Sequence, residues 1–358
     1  MKRISILILA LMAVGLLFAE VDAVILRRAK AGNANAQYKL GEMYSQGDGV
    51  KQDDAEAAKW FKLSARQGLA YAQYNLGVMY ASGRGVEQSY KEAMKYYKLA
   101  ANQGYDQAQY NLGMMYDNGW SVVQSPEEAA RWYTLAAEQG HALAQCNLGI
   151  KYASGEGVNQ DEVEAVKWYK LAADQECEMA QYNLGLMYSS GRGVEQDYKK
   201  AMKWYKLAAE QGSEKAQYNL GVMYANGRGT KQNYKEAMKW YKLVADKGDS
   251  KSQYNLGVMY ANGQGVKQDY EEAAKWYALA ADQADATAQF NLGYLYDTGQ
   301  GVEQSDERAY FWYSLACEYG DAELCEAATN NRYLVAKKLS AEQIEKVRGE
   351  IEAWQPEK

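Results

Sequence analysis

The chain has 358 residues and a formal net charge of −6, from 40 basic and 46 acidic side chains. Because charges of both signs are spread evenly along it, neither nucleic acid nor an anionic membrane surface is expected as its main partner. The only histidine is His141, and no spacing fits a metal site, a catalytic triad or a phosphate-binding loop, so we expect neither a cofactor nor catalysis.

The first 23 residues differ in character from the rest of the chain. Lys2 and Arg3 precede a mostly apolar run over residues 4–19, and Ala19 and Ala23 offer small residues for cleavage. This pattern predicts a secretory signal peptide over residues 1–23, and therefore a periplasmic or secreted protein that is not embedded in a membrane once the signal is removed. The alternative is an uncleaved N-terminal anchor, although the run is shorter than the ~20 residues that span a bilayer.

A Leu-Gly pair then recurs eight times at an interval of 36 residues. The leucines are Leu40, Leu76, Leu112, Leu148, Leu184, Leu220, Leu256 and Leu292. A fixed period of this size predicts stacked supersecondary units that share one continuous core. We therefore predict eight repeats over residues 33–320, a partial helix over 24–32 and a C-terminal cap over 321–358.

Each repeat begins with a helix whose core face is evident from its spacing. In the second repeat, Ala72, Leu76 and Tyr80 share one face, with Gly77 beside them. A glycine inside a helix costs about 1 kcal/mol relative to alanine, so its recurrence predicts close approach of a neighbouring backbone. We assign that neighbour to the alanine column of the second helix, which runs from Ala57 every 36 residues.

A Gly-x-Gly turn leads to the second helix. The third repeat has Gly119-Trp120-Ser121 instead, so a different turn shape is expected there. The second helix starts at an N-cap residue such as Asp53, and in six repeats a glutamate such as Glu56 follows three positions later, which predicts capping boxes. The lysines and glutamates of these helices predict a solvated face with i,i+4 pairs.

Two columns of the first helix point away from the predicted core. One is aromatic: Tyr38, Tyr74, Tyr110, Tyr182, Tyr218, Tyr254 and Phe290, interrupted by Cys146. The other is polar: Asn75, Asn111, Asn147, Asn183, Asn219, Asn255 and Asn291. A row of carboxamides can pair with the backbone of an extended polypeptide, and tyrosines add apolar contact area, so this asparagine–tyrosine ladder is a candidate partner-binding site. Two readings remain open, because the asparagines could instead tie helices together and the tyrosines could pack between repeats.

A tryptophan column lies on the second helix, three residues after the alanine column. Its members are Trp60, Trp132, Trp168, Trp204, Trp240, Trp276 and Trp312, with Tyr96 in the second repeat. Packing between repeats is the favoured role for side chains this large, and a carbohydrate-binding surface is the alternative.

Residues 180–212, AQYNLGLMYSSGRGVEQDYKKAMKWYKLAAEQG, resemble the Sel-one-like repeat family, and the resemblance covers all eight repeats. It implies an all-α, tetratricopeptide-like right-handed superhelix with the first helices on the concave side. It also implies a non-enzymatic scaffold or adaptor whose partner is a protein or peptide, and the ladder suggests an extended polypeptide bound on the concave face. The alternative is a β-lactam-binding or β-lactamase-like activity, as in cysteine-rich relatives, although this chain has no Ser-x-x-Lys motif and lacks cysteines in most repeats.

The cysteine-rich relatives join helix pairs by disulfides at a spacing that occurs here once, between Cys317 and Cys325. We therefore predict a Cys317–Cys325 disulfide, which an oxidising compartment would permit. Cys146 and Cys177 are expected to pair poorly; either both are free or one engages a partner. In the cap, Ser340 and Gln343 predict a capping box.

Overall fold

The computed structural model describes residues 23–356. The predicted signal peptide, or alternative anchor, lies outside the described residues except for Ala23. Within residues 23–356, no helix has both the length and the apolar character that crossing a membrane requires.

The described residues form α-helices joined by turns, without a β-strand between residues 23 and 356. Helix α1 covers residues 23–30. The first helices of repeats one to eight are α2 (Ala34–Gln46), α4 (Ala70–Ser82), α6 (Asp106–Asn118), α8 (Ala142–Ser154), α10 (Glu178–Ser190), α12 (Glu214–Asn226), α14 (Ser250–Asn262) and α16 (Ala286–Thr298). The second helices are α3 (Asp54–Arg66), α5 (Tyr90–Ala101), α7 (Pro126–Glu138), α9 (Glu162–Ala173), α11 (Tyr198–Glu210), α13 (Tyr234–Ala245), α15 (Tyr270–Asp282) and α17 (Asp306–Tyr319). Two more helices, α18 (Ala322–Ala336) and α19 (Ala341–Ala353), follow, and the predicted all-α repeat class is confirmed.

The chain divides into two compact units, one up to Ala180 and one from Gln181 onward. Within each unit, core clusters join the second helix of one repeat to the first helix of the next. In the first unit, Tyr97 of α5 and Leu112 of α6 belong to one buried cluster. In the second unit, Tyr241 of α13 and Leu256 of α14 do the same. Neither helix pair buries its apolar face alone, which is the physical reason for the tandem arrangement.

The glycine of each Leu-Gly pair lies against an aromatic ring, and this corrects the assignment made from the sequence. A Cβ added at Gly113 would lie 2.5 Å from two ring carbons of Tyr133, in the second helix of the same repeat. At Gly77 it would lie 2.7 Å from the Tyr97 ring and 3.3 Å from the Ala93 carbonyl oxygen. Close approach was correctly predicted, but the nearest neighbour is the flat ring, with the alanine backbone behind it.

The turn of the third repeat keeps the geometry of the others, so the expected difference in shape is wrong. Ser121 adopts a φ of 64°, close to the 67° of the equivalent Gly85. The Trp120 backbone N–H donates to the Met115 carbonyl at 3.0 Å, as Arg84 does to Met79 at 3.1 Å. The hydrogen bond that closes the turn holds even a serine in the left-handed region.

The second helices begin at the predicted N-caps, but their glutamates behave differently from the prediction. The Asp53 carboxylate accepts from the Glu56 backbone N–H at 2.9 Å. The Glu56 carboxylate then pairs with Lys59, three residues further on, and equivalent i,i+3 pairs recur in five other repeats. The reciprocal capping box forms in α19 between Ser340 and Gln343, as predicted there.

Helices α18 and α19 cover the end of repeat eight. Val335 and Val347 are buried in the same cluster as Leu315, and Ile351 and Trp354 pack on it with partial exposure. The cap therefore closes the apolar end of the second compact unit.

Candidate partner-binding surface

The asparagine–tyrosine ladder lies along the first helices, and its side chains are half-buried in every repeat. Each ladder tyrosine contacts an aromatic ring of the second helix in its own repeat. The pairs, with their centroid distances, are Tyr74–Tyr97 (5.9 Å), Tyr110–Tyr133 (5.9 Å), Tyr182–Tyr205 (6.0 Å), Tyr218–Tyr241 (5.8 Å) and Tyr254–Tyr277 (6.0 Å). One side of each tyrosine is thus committed to packing within its repeat.

Ladder asparagines connect consecutive repeats. The Asn75 side-chain amide donates to the Tyr38 hydroxyl of the preceding repeat at 3.3 Å. Asn111 similarly reaches the hydroxyls of Tyr74 and Tyr97; burial raises the pKa of both tyrosines, and the hydrogen bond from Asn111 opposes that rise. The same relation to the preceding repeat is found at Asn147, Asn219 and Asn291. These asparagines therefore connect consecutive repeats, and each of them is half-buried.

Two cavities at equivalent positions, five repeats apart, open beside the ladder. In the first compact unit, a cavity of about 180 Å³ is lined by Tyr90, Tyr97, Asn111, Met114 and Trp120, among others. In the second, a cavity of about 410 Å³ is lined by the equivalent Tyr270, Tyr277, Asn291, Tyr294 and Gln300, among others. Trp120 stacks on Tyr90 with ring centroids 5.7 Å apart, which accounts for the smaller volume of the first cavity. Equivalent residues of two repeats therefore form the same kind of cavity, and the residue at the Trp120 position changes its volume.

An apolar column borders the ladder on the first helices. Its members, half-buried or exposed, are Val78, Met114, Ile150, Leu186, Val222, Val258 and Tyr294. Tyr294 is 46% exposed and Leu186 is 37% exposed. The ladder and this column together combine hydrogen-bonding carboxamides with apolar contact area along one face of each first helix.

The second helices carry an exposed leucine column that the sequence analysis did not single out. Its most exposed members are Leu63, Leu99, Leu135, Leu171, Leu243 and Leu279, which are 38–50% exposed. The equivalent Leu315 is 1% exposed because it lies in the core cluster that includes cap residues. This leucine column is a second exposed apolar surface, so a test of binding at the ladder must compare changes at both surfaces.

A buried glutamine column, also missed from the sequence, links helices on either side of each repeat junction. Gln109 donates through Nε2 to the Ala101 carbonyl of the preceding repeat at 3.2 Å and accepts from Gln139 at 2.7 Å. At the position equivalent to Gln139, repeat six has Lys247 instead of glutamine. There, the side-chain oxygen of the buried Gln217 has no hydrogen-bond partner among the described residues. A polar residue that recurs on a core face is the signal that could have revealed this network, since buried amides are almost always hydrogen-bonded.

The tryptophans lie between repeats. Trp132 packs, partly buried, against the cluster that contains Tyr97 and Leu112, and Trp276 packs against the cluster around Tyr241. The indole nitrogens of Trp132 and Trp276 are buried. This placement supports packing between repeats as their role.

Lys151 occupies a core position that holds methionine in most other repeats. It is 4% exposed, and its ammonium donates to the carboxylates of Asp117 and Glu156. Burial lowers the pKa of Lys151, but its hydrogen bonds to the carboxylates of Asp117 and Glu156 outweigh burial and raise the pKa overall. Tyr133 also donates to Asp117 at 3.3 Å. Repeat four is therefore held to repeat three partly by an ion pair between the buried Lys151 and the partly buried Asp117.

His141 has a structural position. It is the N-cap of α8, where its Nδ1 accepts from the Ala144 backbone N–H at 3.2 Å, and its ring stacks on Tyr110 at 4.7 Å. Burial lowers its pKa, and nearby Asp106 partly opposes this. Over residues 23–356, no cluster of three or more His, Cys, Asp or Glu side chains could hold a metal ion.

The four cysteines form two pairs. Cys317 and Cys325 are joined by a disulfide between α17 and α18. Cys146 and Cys177 are both free, which is one of the two alternatives left open by the sequence, but their thiols are within hydrogen-bond contact. Both cysteines belong to the first compact unit, where the residue before α10 lies against α8, and the sequence spacing does not reveal this contact.

Comparison with known proteins agrees with this architecture. The Sel1 repeat model matches eight consecutive segments of 36 residues, from 34–69 to 286–321. A Sel1 repeat protein from Oxalobacter formigenes is 34% identical, with 86% of this chain and 89% of that chain covered and a TM-score of 0.63. The protein c5321, a protective antigen present in uropathogenic Escherichia coli strains, is 32% identical, with 92% and 85% covered and a TM-score of 0.50. A search of curated proteins finds no match. Sel1 repeat proteins are in general non-enzymatic scaffolds that bind other proteins, and this chain belongs to the Sel1 repeat family.

Proposed function

We propose that the protein is an extracytoplasmic scaffold that binds an extended polypeptide along the asparagine–tyrosine ladder. The observation that carries the proposal is the recurrence of the same ladder cavity at equivalent positions five repeats apart. A cavity that recurs with the repeat suits a ligand whose side chains also recur along an extended backbone.

The chemistry of the ladder matches such a ligand. Each carboxamide offers a donor and an acceptor, and only part of that capacity is used in contacts with the preceding repeat. The peptide groups of an extended chain present alternating donors and acceptors, so successive repeats could bind successive stretches of backbone. Side chains of the ligand would enter cavities of the kind lined by Asn291 and Tyr294, whose volume of about 410 Å³ is within the range of ligand pockets.

The proposed location outside the cytosol has two supports. The Cys317–Cys325 disulfide is of a kind that persists in oxidising compartments. The N-terminal 23 residues have the composition of a secretory signal. Fractionation of cells expressing the full chain, with N-terminal sequencing of the product, tests this part of the proposal. Recovery of an intact N-terminus in the cytosol would contradict it.

Binding can be tested with a peptide library and two matched double variants. Peptides of about 12 residues, which span about 40 Å when extended, would be selected on the full chain and then synthesised. Leu186→Glu with Tyr294→Glu places charge on the apolar column beside the ladder; Leu243→Glu with Leu279→Glu places it on the leucine column. All four residues are at least 37% exposed, so both variants should keep the helical circular dichroism of the natural chain.

We expect the first variant to weaken peptide binding by at least about tenfold, equivalent to about 1.4 kcal/mol, and the second to leave it within about twofold. Loss of binding in the leucine-column variant alone would place the site on the second helices and overturn the proposal. Equal affinities for the natural chain and the ladder variant would overturn it as well.

A further inference from the structure

One junction between repeats carries a pair of cysteines at positions whose side chains also contact each other at two other junctions of the first compact unit. The first position lies on the first helix of a repeat, and the second lies 31 residues later, directly before the next first helix. Residues at these positions meet at three successive junctions: Tyr74 with Tyr105 (centroids 5.0 Å apart), Tyr110 with His141 (4.7 Å) and Cys146 with Cys177. The fold thus brings any side chains at these positions together, and in repeat four both are thiols.

The two thiols differ in their access to solvent. Cys146 is fully buried within α8, whereas Cys177 is half-buried at the start of α10. An external reagent should therefore reach Cys177 first. Cys146 lies behind it, within hydrogen-bond contact of its sulfur.

The position of Cys177 favours an anion. The hydrogen bond from Cys146 and those from the backbone N–H groups of Ala180 and Met179 lower the pKa of Cys177 to about 6, although burial opposes them. The pKa of Cys146 is raised, first by its hydrogen bond to Cys177 and then by burial. An independent observation agrees, because other repeats place an acidic N-cap here: the Asp249 carboxylate accepts from the Ser252 N–H at 2.7 Å and Asp285 from Ala288 at 2.9 Å. The N-terminal N–H groups of a helix stabilise negative charge at this point.

We propose that Cys146 and Cys177 form a redox-active dithiol that reacts with external disulfides, with Cys177 as the attacking group and Cys146 as the resolving group. In the first step, the Cys177 thiolate attacks one sulfur of a disulfide RSSR, forms a mixed disulfide and releases RS⁻. In the second step, the Cys146 sulfur attacks the Cys177 sulfur as its proton leaves, and a second RS⁻ is released. The protein loses two electrons and two protons, and RSSR becomes two RSH.

The product joins the middle of α8 to the residue before α10. The loop that it closes contains the whole of α9, so oxidation would restrain the second helix of repeat four and the turns on both sides of it. This pair differs from Cys317–Cys325, which joins adjacent helices across a short loop.

Oxidised glutathione is the probe for this proposal. It is applied to the full chain, and alkylation of a separate sample first confirms that both thiols are free. In the natural chain we expect loss of two free thiols and a peptide pair cross-linked between Cys146 and Cys177, identified by mass spectrometry without reduction. Cys146→Tyr restores the residue of most other repeats, and this variant should accumulate a glutathione adduct on Cys177. Cys177→Asp restores an N-cap found in repeats six and seven, and it should leave Cys146 unreacted under the same conditions.

Rates of alkylation provide a second measurement. In the natural chain, iodoacetamide should modify Cys177 at least about tenfold faster than Cys146, because reactivity follows thiolate content and exposure. A glutathione adduct on Cys177 that persists in the natural chain would overturn the resolving role of Cys146. Reaction of Cys146 at an undiminished rate in Cys177→Asp would overturn the order of the two steps. Both variants carry residues that this fold already accommodates at equivalent positions, and their circular dichroism spectra should match that of the natural chain.

Discussion

Gly113→Ala tests whether close packing of a ring on the first helix explains the recurring glycine. The added methyl group would lie 2.5 Å from the Cδ1 and Cε1 atoms of Tyr133, where ordinary contacts begin at 3.4 Å. Tyr133 is 1% exposed, and its hydroxyl donates to Asp117 at 3.3 Å, so the ring has little room to withdraw. One of the two helices must therefore move by most of an ångström.

The magnitude follows from two opposing effects. Overpacking of a well-filled core costs about 1–3 kcal/mol, and the restrained ring places this site near the upper end. Alanine in place of glycine inside a helix recovers about 1 kcal/mol. We therefore expect Gly113→Ala to lower the free energy of unfolding by about 2 kcal/mol. Gly349→Ala is the matched control: it also lies within a helix, no atom lies within 4 Å of its added Cβ, and it should raise stability by about 0.5–1 kcal/mol.

Urea unfolding followed by circular dichroism gives the overall effect. Because repeat arrays open locally, amide hydrogen exchange in α6 and α7 gives the effect at the site itself. A stability gain of similar size in both variants would refute the packing argument. So would a loss in Gly113→Ala that persists unchanged when Tyr133→Leu removes the ring, since two residues in contact should be energetically coupled.

Four further substitutions probe the polar contacts inside the repeats. Lys151→Met restores an apolar core residue and should leave the unfolding free energy unchanged or higher. Asp117→Asn removes one of the two carboxylate partners of the buried ammonium and should cost about 2 kcal/mol in urea unfolding; a larger loss from Lys151→Met would contradict this. His141 has a lowered pKa in the fold, so its contribution to stability is present above its unfolded pKa and is lost as pH falls through the folded value. His141→Asn copies the N-cap Asn33. Between about pH 7.5 and about pH 5, a range that brackets the ordinary histidine pKa, thermal unfolding should show a smaller loss of stability for this variant than for the natural chain; parallel curves would exclude the histidine as the cause. Gln109→Met removes a buried hydrogen-bond pair and should cost about 1–2 kcal/mol with faster hydrogen exchange in α6, and an unchanged exchange rate would show that the network adds little.

The ladder itself was visible in the sequence, because columns of identical residues at a fixed period must lie on one face of successive helices. The sequence left open whether those columns bind a partner or pack between helices, and the contacts show that both columns take part in packing. Asn111 bonds to tyrosines of the preceding repeat, while Asn291 also lines a cavity beside the exposed Tyr294. A period of 36 residues cannot distinguish these roles, since it specifies which residues are equivalent without stating how far one helix lies from the next.

What the sequence determined by itself was local or periodic: the helices, the N-caps such as Asp53, the number of repeats and the need for close approach at each Leu-Gly glycine. These depend on interactions within one repeat, where backbone geometry is nearly the same for every helix pair. Only the tertiary structure decided that a tyrosine ring fills the space at Gly113, that Lys151 finds Asp117, and that Cys146 meets Cys177. Each of these contacts depends on how side chains interlock between helices or on how one repeat is rotated onto the next, and that relation arises from the whole packed interface rather than from any short stretch of sequence.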